Sequence, residues 1–510
     1  MTSTFRYVGV HLDGREIVCR YALDDRVFTE VVTVPDGPGL GSAAFLQVAR
    51  LLFLLAGVSY YKTAAPPRID LGDTPMSAAD RVLLAEFYRD GLGEFAVVNG
   101  LDLSGLQFVG GRDSVTLAPH QGDGPLIPFG GGIDSVVVVE AVRAVRPDAA
   151  VFVLGSYPAI EAPLAVANMP VLRATRRLDA QVLARDPAFL NGHVPVTGIL
   201  SAIALATAVV VGRGEVVMSN EHSASEATVA GVNHQWSKSA RFEELLADAL
   251  AASVPGLTYF SLLRARSELW VAQRFAALPQ YHRHFRSCNR AFTIDASRRL
   301  ARWCGECDKC CFIDLILAPY LPATELAAIF DGREPLDRAE LLPRFRSLLG
   351  DEDIAKPFEC VGDAGECRAG GAGGGGAPRP RRQPAAGRAL GGRRRRADPR
   401  LAARPDRGRL GSRGLCRRRC AGLTSPAIGS ASGVWAWRAR RPCAGSATSA
   451  SERPPSSTRR ARTPCPGRRD SAPSPAATWS SRVRGSAATA RTARPWSPVA
   501  SRSWVDWACG

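Results

Sequence analysis

From Gly124 onward the chain repeats one pattern, a short uninterrupted apolar run followed by a helical segment and then another apolar run. Residues 126–129, 150–154 and 215–218 read as strands, and residues 134–145 and 196–211 as helices. Apolar runs without polar alternation leave no face for water, so they belong to a parallel sheet covered by helices on both sides. The fold class is α/β. In such sheets ligands bind beyond the carboxyl ends of the strands. The first 122 residues are patterned differently. Stretches 7–12, 16–21 and 29–34 alternate apolar with polar residues across Asp-Gly and Asp-Asp turns, which predicts a small antiparallel meander. Helices are expected at 43–55 and 77–88, the second with Ser77 and Asp80 as partners for its first amides. The organisation predicted is an N-terminal α+β domain over 1–122 and a parallel-sheet domain over 123–367.

The loop after the first apolar strand, Gly130-Gly131-Gly132-Ile133-Asp134-Ser135, sits where that rule places a ligand. Three glycines let backbone amides approach an anion closely, and the following helix adds its positive N-terminal end. Ser135 can donate to a phosphate oxygen, and Asp134 can cap the helix or hold a magnesium ion. A tight glycine turn with an Asp cap is the plain alternative. Gly-Gly-x-Asp-Ser directly after an apolar strand resembles the PP-loop of ATP pyrophosphatases, whose usual form has Ser where this chain has Gly130. The resemblance implies a HUP-like sheet, with ATP cleaved to AMP and pyrophosphate while a carboxylate or carbonyl oxygen is adenylated. A Walker loop would need a Lys after the last glycine.

The second strong pattern is Cys304-Gly305-Glu306-Cys307-Asp308-Lys309-Cys310, two successive C-x-x-C steps, with Cys288 sixteen positions earlier. Cys288, Cys304, Cys307 and Cys310 can close a tetrahedral zinc site in which Gly305 permits the turn. A similar Cys pattern follows the ATP domain of the 7-deazaguanine nitrile-forming synthases, which supports a structural reading. Three alternatives stand beside it: Cys311 replaces one ligand, a thiol is the catalytic acid or base, or the group is reduced and metal-free. A tight cluster in a chain without a basic-then-apolar leader points to a reducing compartment, with the cytoplasm expected. The longest apolar stretch identified, 197–211, is shorter than the roughly 18–20 residues a bilayer needs and reads as a buried helix, so no membrane partner is expected.

Composition changes abruptly at Cys367. The whole chain holds 65 basic and 48 acidic residues, of which 31 and 5 lie in 368–510, so that tail is +26 and residues 1–367 are −9. The tail contains no Lys, Asn, Phe, Tyr, His or Met, yet holds six of the nine Trp. Such a mixture predicts disorder, and it reads as GC-rich coding DNA translated out of frame. The competing reading is an Arg-rich tail that binds nucleic acid electrostatically. For residues 1–367 the acidic balance argues against nucleic acid.

Beyond the strand at 215–218 comes Asn220-Glu221-His222-Ser223-Ala224-Ser225, and then Val232-Asn233-His234-Gln235-Trp236-Ser237-Lys238-Ser239. Both are dense in hydrogen-bonding groups and lie at the sheet edge that carries the glycine loop, which suits a binding surface more than a solvated loop. These segments, together with Leu55-Ala56-Gly57-Val58-Ser59-Tyr60-Tyr61-Lys62, Trp303 with the cysteine run, and Lys356-Pro357-Phe358-Glu359-Cys360-Val361-Gly362, resemble the UDP-N-acetylmuramoyl-L-alanyl-L-glutamate epimerases of peptidoglycan synthesis. The likeness covers nearly all of 1–367.

The resemblance implies inversion of the terminal glutamate of UDP-MurNAc-L-Ala-L-Glu to the D form with conversion of ATP to AMP and pyrophosphate. ATP, Mg2+ and a structural Zn2+ are then the expected small partners. Gly130, Gly131, Gly132 and Ser135 are expected at the phosphates, Asp134 at the loop or magnesium, and Lys238 at pyrophosphate or the substrate carboxylate. Proton transfer falls first to His234, then to His222 or Glu221, because general acid/base work wants a group titrating near neutrality. Two other readings remain: another PP-loop carboxylate or nucleobase modifier, such as a deazaguanine nitrile synthase or a tRNA thiolase, and nucleic-acid binding through the tail.

Overall fold

The computed structural model describes residues 3–184, 186–226, 231–293, 295–351, 359 and 361–373. The meander is present as β1 (Thr4–Asp13), β2 (Glu16–Leu23) and β3 (Arg26–Thr33), antiparallel in sequence order. Two three-residue strands, β4 (Arg68–Asp70) and β5 (Gln107–Val109), add in parallel beyond β1. The second half supplies β6 (Pro125–Pro128), β7 (Ala150–Leu154), β8 (Val171–Arg177), β9 (Glu215–Met218) and β10 (Thr258–Ser261), paired in parallel. All ten form one sheet in the order β10-β9-β6-β7-β8-β3-β2-β1-β4-β5. The antiparallel β3–β8 pair, with Val32 opposite Arg176, therefore carries hydrogen bonding across the division at residue 122.

The central strands show why the sheet is covered twice. Leu126, Ala150, Phe152, Val216 and Met218 pack into one buried cluster with helices Ala43–Ala56, Val196–Val210 and Ala240–Ser253. Their neighbours Ile127, Val151, Val153 and Val217 point the other way, into a cluster with helices Ile133–Arg143, Glu268–Ala276 and Asp308–Leu317. Successive side chains of a strand leave on opposite faces, so a continuous apolar run is what both layers require. The stretch Ala43–Tyr61 is long and apolar enough to cross a bilayer by length and composition, a longer candidate than 197–211. It is 83% buried inside the protein, as a core element is.

Two buried ion pairs fasten the N-terminal half, the first of them to β8. Arg176 Nε and Nη2 donate to both Glu30 carboxylate oxygens at 2.8 and 3.0 Å, and Nη2 also donates to Ser59 Oγ at 2.8 Å. Arg50 Nη1 donates to Asp80 Oδ2 at 2.9 Å. Asp80 also completes a capping box with Ser77 at the start of helix Ala78–Arg89, so both expected partners act there.

The folded chain runs slightly past the composition break. Helix Ala364–Gly373 begins before Cys367 and continues to Gly373, which corrects the expected start of the disordered tail at 368. The reason is local packing: Cys367 is fully buried, and Arg368 Nη1 donates to the Leu349 carbonyl at 2.6 Å. Residues 374–510, and Lys356, Pro357, Phe358 and Cys360 of the quoted motif, lie outside the described residues.

Removing one partner of a buried, fully engaged pair leaves a bare charge, which costs about 3–5 kcal/mol. Glu30→Ala is expected to lower unfolding stability by about that amount, and the double change Glu30→Met, Arg176→Met by less, read as the shift of a urea unfolding curve.

Candidate active site

The sheet reverses its direction of growth at β6. From β6 the chain passes through helix Ile133–Arg143 to β7 on one side, whereas β9 lies on the other side of β6 and leads through helix Ala240–Ser253 to β10. At such a switch point the outgoing loops diverge and ligands bind beyond the carboxyl ends of the strands, here those of β6 and β9. The Gly130-Gly131-Gly132 turn stands at that end of β6. Gly131 has φ +79°, and a Cβ there would lie 3.0 Å from the Ala159 carbonyl oxygen, so only glycine fits. Gly132 is the N-cap residue and no side-chain cap hydrogen bond closes the helix, so Asp134 sits in the first turn and not at the cap. Ser135 Oγ donates to the Gly132 carbonyl at 3.1 Å.

Asp134 is buried, and its Oδ1 has no hydrogen-bond partner. Burial pushes its carboxyl up to about 7; Glu221 adds to the rise, while Lys309 and Lys238 oppose it. Glu221, from the loop after β9, is also buried and accepts from Ser223 Oγ at 3.4 Å. Lys238 closes the 3-10 turn Trp236–Lys238, and burial draws its ammonium down to about 8 against the pull of Glu221. Arg264 ties the two loops by donating to the carbonyls of Glu221 at 3.1 Å and Lys238 at 2.7 Å.

Two more acids and one more lysine complete this group. Glu268, just after the Ser267 cap of its helix, is held well above the carboxylate range, first by burial and then by Glu221 and Asp134. Glu366 accepts from the Glu268 amide at 3.0 Å and is pushed up to about 7, mainly by burial. Lys309 is buried in the first turn of helix Asp308–Leu317 with its Nζ 5.1 Å from the centre of the Phe312 ring. Four carboxyls thus face two lysines in a poorly solvated space. Like charges there cannot all ionise unaided, and such a group suits an anion accompanied by a cation.

The proton-handling candidates separate. His234 hydrogen-bonds through Nδ1 to Glu94 Oε2, and its ring lies 4.4 Å from that of His193. His193 is held well below the ordinary imidazole value by burial, then by His234, Lys62 and Lys238. Lys238 thus acts electrostatically on His193 as well as on Asp134. His222 is exposed on the 3-10 turn His222–Ser225, with its amide donating to the Arg266 carbonyl at 2.9 Å. Asn233 braces the loop by donating to the Ala224 carbonyl at 2.9 Å, and Trp236 packs edge-on against Phe87 and Phe242.

The Sγ atoms of Cys288, Cys304, Cys307 and Cys310 lie within 4.8 Å of one another, all buried. Cys310 Sγ is 3.6 Å from that of Cys304 and 3.4 Å from that of Cys307. Zn–S bonds of about 2.3 Å require tetrahedral edges of roughly 3.8 Å, so this donor set fits a zinc ion after a small expansion. Gly305 has φ +69°, and the Cys307 amide donates to Cys304 Sγ at 3.3 Å, the turn a knuckle needs. Cys311 stands outside the four, and its thiol is pushed up by burial.

Glu94, His193, Glu268, Lys309 and Glu366 were not singled out from the sequence. Lys309 lay within the Cys-x-x-Cys run, a signal for its location, whereas the others carry no local pattern.

A parallel-sheet switch point bearing a glycine turn, buried lysines and carboxyls, and a carboxylate-bound histidine marks an α/β protein of the enzyme class with a highly charged interior site. Residues 1–262 match the family model for the MurL N-terminal domain, and residues 284–372 the model for the MurL C-terminal domain. A UDP-N-acetyl-alpha-D-muramoyl-L-alanyl-L-glutamate epimerase from Xanthomonas oryzae pv. oryzae is 42% identical over 383 residues, covering 72% of this chain and 84% of that one. Proteins of the same name from Salinispora tropica and a Micromonospora species are 41% and 40% identical, each covering 71% of this chain, and 82% and 84% of their own lengths. No solved structure matches the chain. The chain belongs to the UDP-N-acetyl-alpha-D-muramoyl-L-alanyl-L-glutamate epimerase family, and it is an isomerase.

The Asp134 shift has a consequence for stability. Its folded value of about 7 lies above the ordinary aspartate value of 3.8, so folding is favoured while it is protonated, and that advantage is lost as pH rises from about 4 through 7. Asp134→Asn in nucleotide-free, magnesium-free protein is expected to be more stable than the unaltered chain at pH 8, with a smaller difference at pH 5, as measured by urea unfolding.

Proposed function

We propose that this chain epimerises the terminal glutamate of UDP-MurNAc-L-Ala-L-Glu from L to D, at the expense of ATP cleaved to AMP and pyrophosphate. The observation that carries the reading is the glycine turn at the switch point facing buried Lys238 and Lys309 beside Asp134 and Glu221. In this reading the fold around β6 is that of a PP-loop enzyme. The amides of Gly130, Gly131 and Gly132 bind phosphate oxygens, Ser135 turns its hydroxyl from the Gly132 carbonyl towards them, and the lysines neutralise the departing pyrophosphate. Asp134 and Glu221 would hold the magnesium ion that accompanies ATP, which would screen the phosphate charge.

Activation precedes proton transfer for an electrostatic reason. A free carboxylate resists loss of its α-proton, because the carbanion would form beside a negative charge. Adenylation removes that charge and makes the carbonyl an electron sink. His234 takes the α-proton, a proton is returned on the opposite face, and hydrolysis of the acyl adenylate releases the D-glutamyl product. ATP cleavage makes the inversion directional. Zinc at Cys288, Cys304, Cys307 and Cys310 would supply structure, holding the turn that introduces Lys309. Reduced thiols of this kind suit a cytoplasmic enzyme.

The test is incubation of the full chain with ATP, Mg2+ and UDP-MurNAc-L-Ala-L-Glu, followed by chiral analysis of glutamate and assay of pyrophosphate. D-Glutamate and pyrophosphate in equal amounts are expected; no D-glutamate with the peptide nucleotide intact would reject the reading. Metal analysis is expected to find one zinc per chain, and Cys307→Ser to lose both the metal and protection of helix Asp308–Leu317 from hydrogen exchange.

A further inference from the structure

Three segments far apart in sequence meet at Glu94. Glu94 lies in the first turn of helix Gly93–Asn99, His193 precedes helix Val196–Val210, and His234 precedes the turn Trp236–Lys238. Close approach is built into the joints. A Cβ at Gly93 would lie 2.8 Å from Val232 Cγ1, and one at Gly192 would lie 3.0 Å from Phe95 Cδ2. A third element braces the same place: Lys62 Nζ donates to Asn191 Oδ1 and to the Gly192 carbonyl, each at 3.2 Å, and Asn99 Nδ2 donates to the Asn191 carbonyl at 3.0 Å. Side-chain exposure at the centre is low, 11% for Glu94 and 9% for His234.

The ligand-type atoms of Glu94, His193 and His234 lie within 4.8 Å of one another, which is also how a metal set looks. The charges around them speak against a cation. Lys62 and Lys238 both press positive potential on His193, and the Glu94 carboxylate is engaged by His234 in a direct hydrogen bond, with His193 Nδ1 left at 3.9 Å from the same oxygen. The arrangement is that of a carboxylate orienting one imidazole, with a second imidazole packed against its face.

We propose that Glu94 is the positioning residue for proton transfer in this enzyme, holding His234 as the tautomer protonated on Nδ1 so that Nε2 is the base. The proposal rests on the epimerase reading above. A carboxylate only accepts, so the bond to Nδ1 places the proton there and the basic lone pair on Nε2. When the α-proton of the activated glutamate moves to Nε2, the Cα–H electron pair passes into the carbonyl of the acyl adenylate. The ring becomes an imidazolium, and its new charge meets the Glu94 carboxylate. The planar carbon takes a proton derived from water on its other face, and His234 afterwards returns its own to water. His193, held neutral, packs against the ring without competing for the charge.

The test separates activation from proton transfer. The full chain is given ATP, Mg2+ and UDP-MurNAc-L-Ala-L-Glu in deuterated water, and two rates are read: exchange of labelled pyrophosphate into ATP, and deuterium entry at the glutamate α-carbon. In Glu94→Gln the ratio of deuterium entry to pyrophosphate exchange is expected to fall by about 10²–10⁴, the usual contribution of a placed general base. Glu94→Asp is expected to recover part of that loss. Nitrogen-15 spectra of the imidazole are expected to show His234 protonated on Nδ1 in the unaltered protein, a signature lost in Glu94→Gln. An unchanged ratio, a parallel loss of both rates, or a His234 protonated on Nε2 would overturn the proposal. If the unaltered chain showed neither exchange, the epimerase reading would fall, and the role of Glu94 with it.

Discussion

The pairing of β3 with β8, secured by the buried contact between Arg176 and Glu30, makes one sheet of two differently patterned halves. Both partners are desolvated, so the pair contributes little net stability compared with an apolar substitute, and its value lies in excluding other registers. The contact also sets distances further on. Arg176 reaches Ser59, and three residues later Lys62 grips residues 191 and 192 beside His193. The antiparallel half thus delivers Glu94 and Lys62, and the parallel half delivers His193, His234 and the glycine turn. A slip of one residue at β3–β8 would move each side chain to the wrong face and separate the carboxylate from its histidine.

The second constraint is charge. Asp134, Glu221, Glu268 and Glu366 crowd together with Lys238 and Lys309, and the raised carboxyls of Asp134, Glu268 and Glu366 and the lowered ammonium of Lys238 are the visible result. A fold selected only for stability would exchange such groups for apolar ones of similar volume. Retaining them makes sense where a ligand brings compensating charges of its own. In the proposed reading a magnesium–nucleotide pair would do so, the cation meeting the carboxyls and the phosphates meeting the lysines and the helix amides. The ligand-free site is then strained electrostatically towards binding.

The regular elements were largely legible because their patterns have single solutions. Continuous apolar runs at 126–129, 150–154 and 215–218 admit little but buried parallel strands, and alternation in the first 34 residues admits a meander. β8 escapes sequence patterning because Val171–Arg177 carries Arg173, Arg176 and Arg177, a polar face that becomes a strand only once Glu161 and Glu30 receive two of those arginines. β4 and β5 have three residues each, too few for any period to show. In the site, the glycine turn and the cysteine run are local spacings and could be read directly. Glu94, His193, Glu268 and Glu366 have meaning only through partners up to 140 positions away, and alone they look like surface residues. The sequence reading places His234 ahead of His222, though each is a histidine in a polar loop; burial and the Glu94 carboxylate are what separate them in the structure.

In the proposed reading Lys309 is the link by which the cysteine cluster bears on the chemistry without touching it. A lysine in the first turn of a helix opposes the macrodipole, and burying it adds a desolvation penalty. The Phe312 ring, 5.1 Å from the Lys309 Nζ, offsets part of that cost locally. The placement persists because Cys307 is the N-cap residue of that helix and the knuckle around Gly305 dictates where the helix begins. With the start fixed, the side chain two residues on is carried into the field of Asp134 and Glu268. The four thiols therefore need no reactivity to matter. They convert the rigidity of a small sulfur cage into the position of a single charge, and loosening the cage would let Lys309 escape to water, where an ammonium on its own prefers to be.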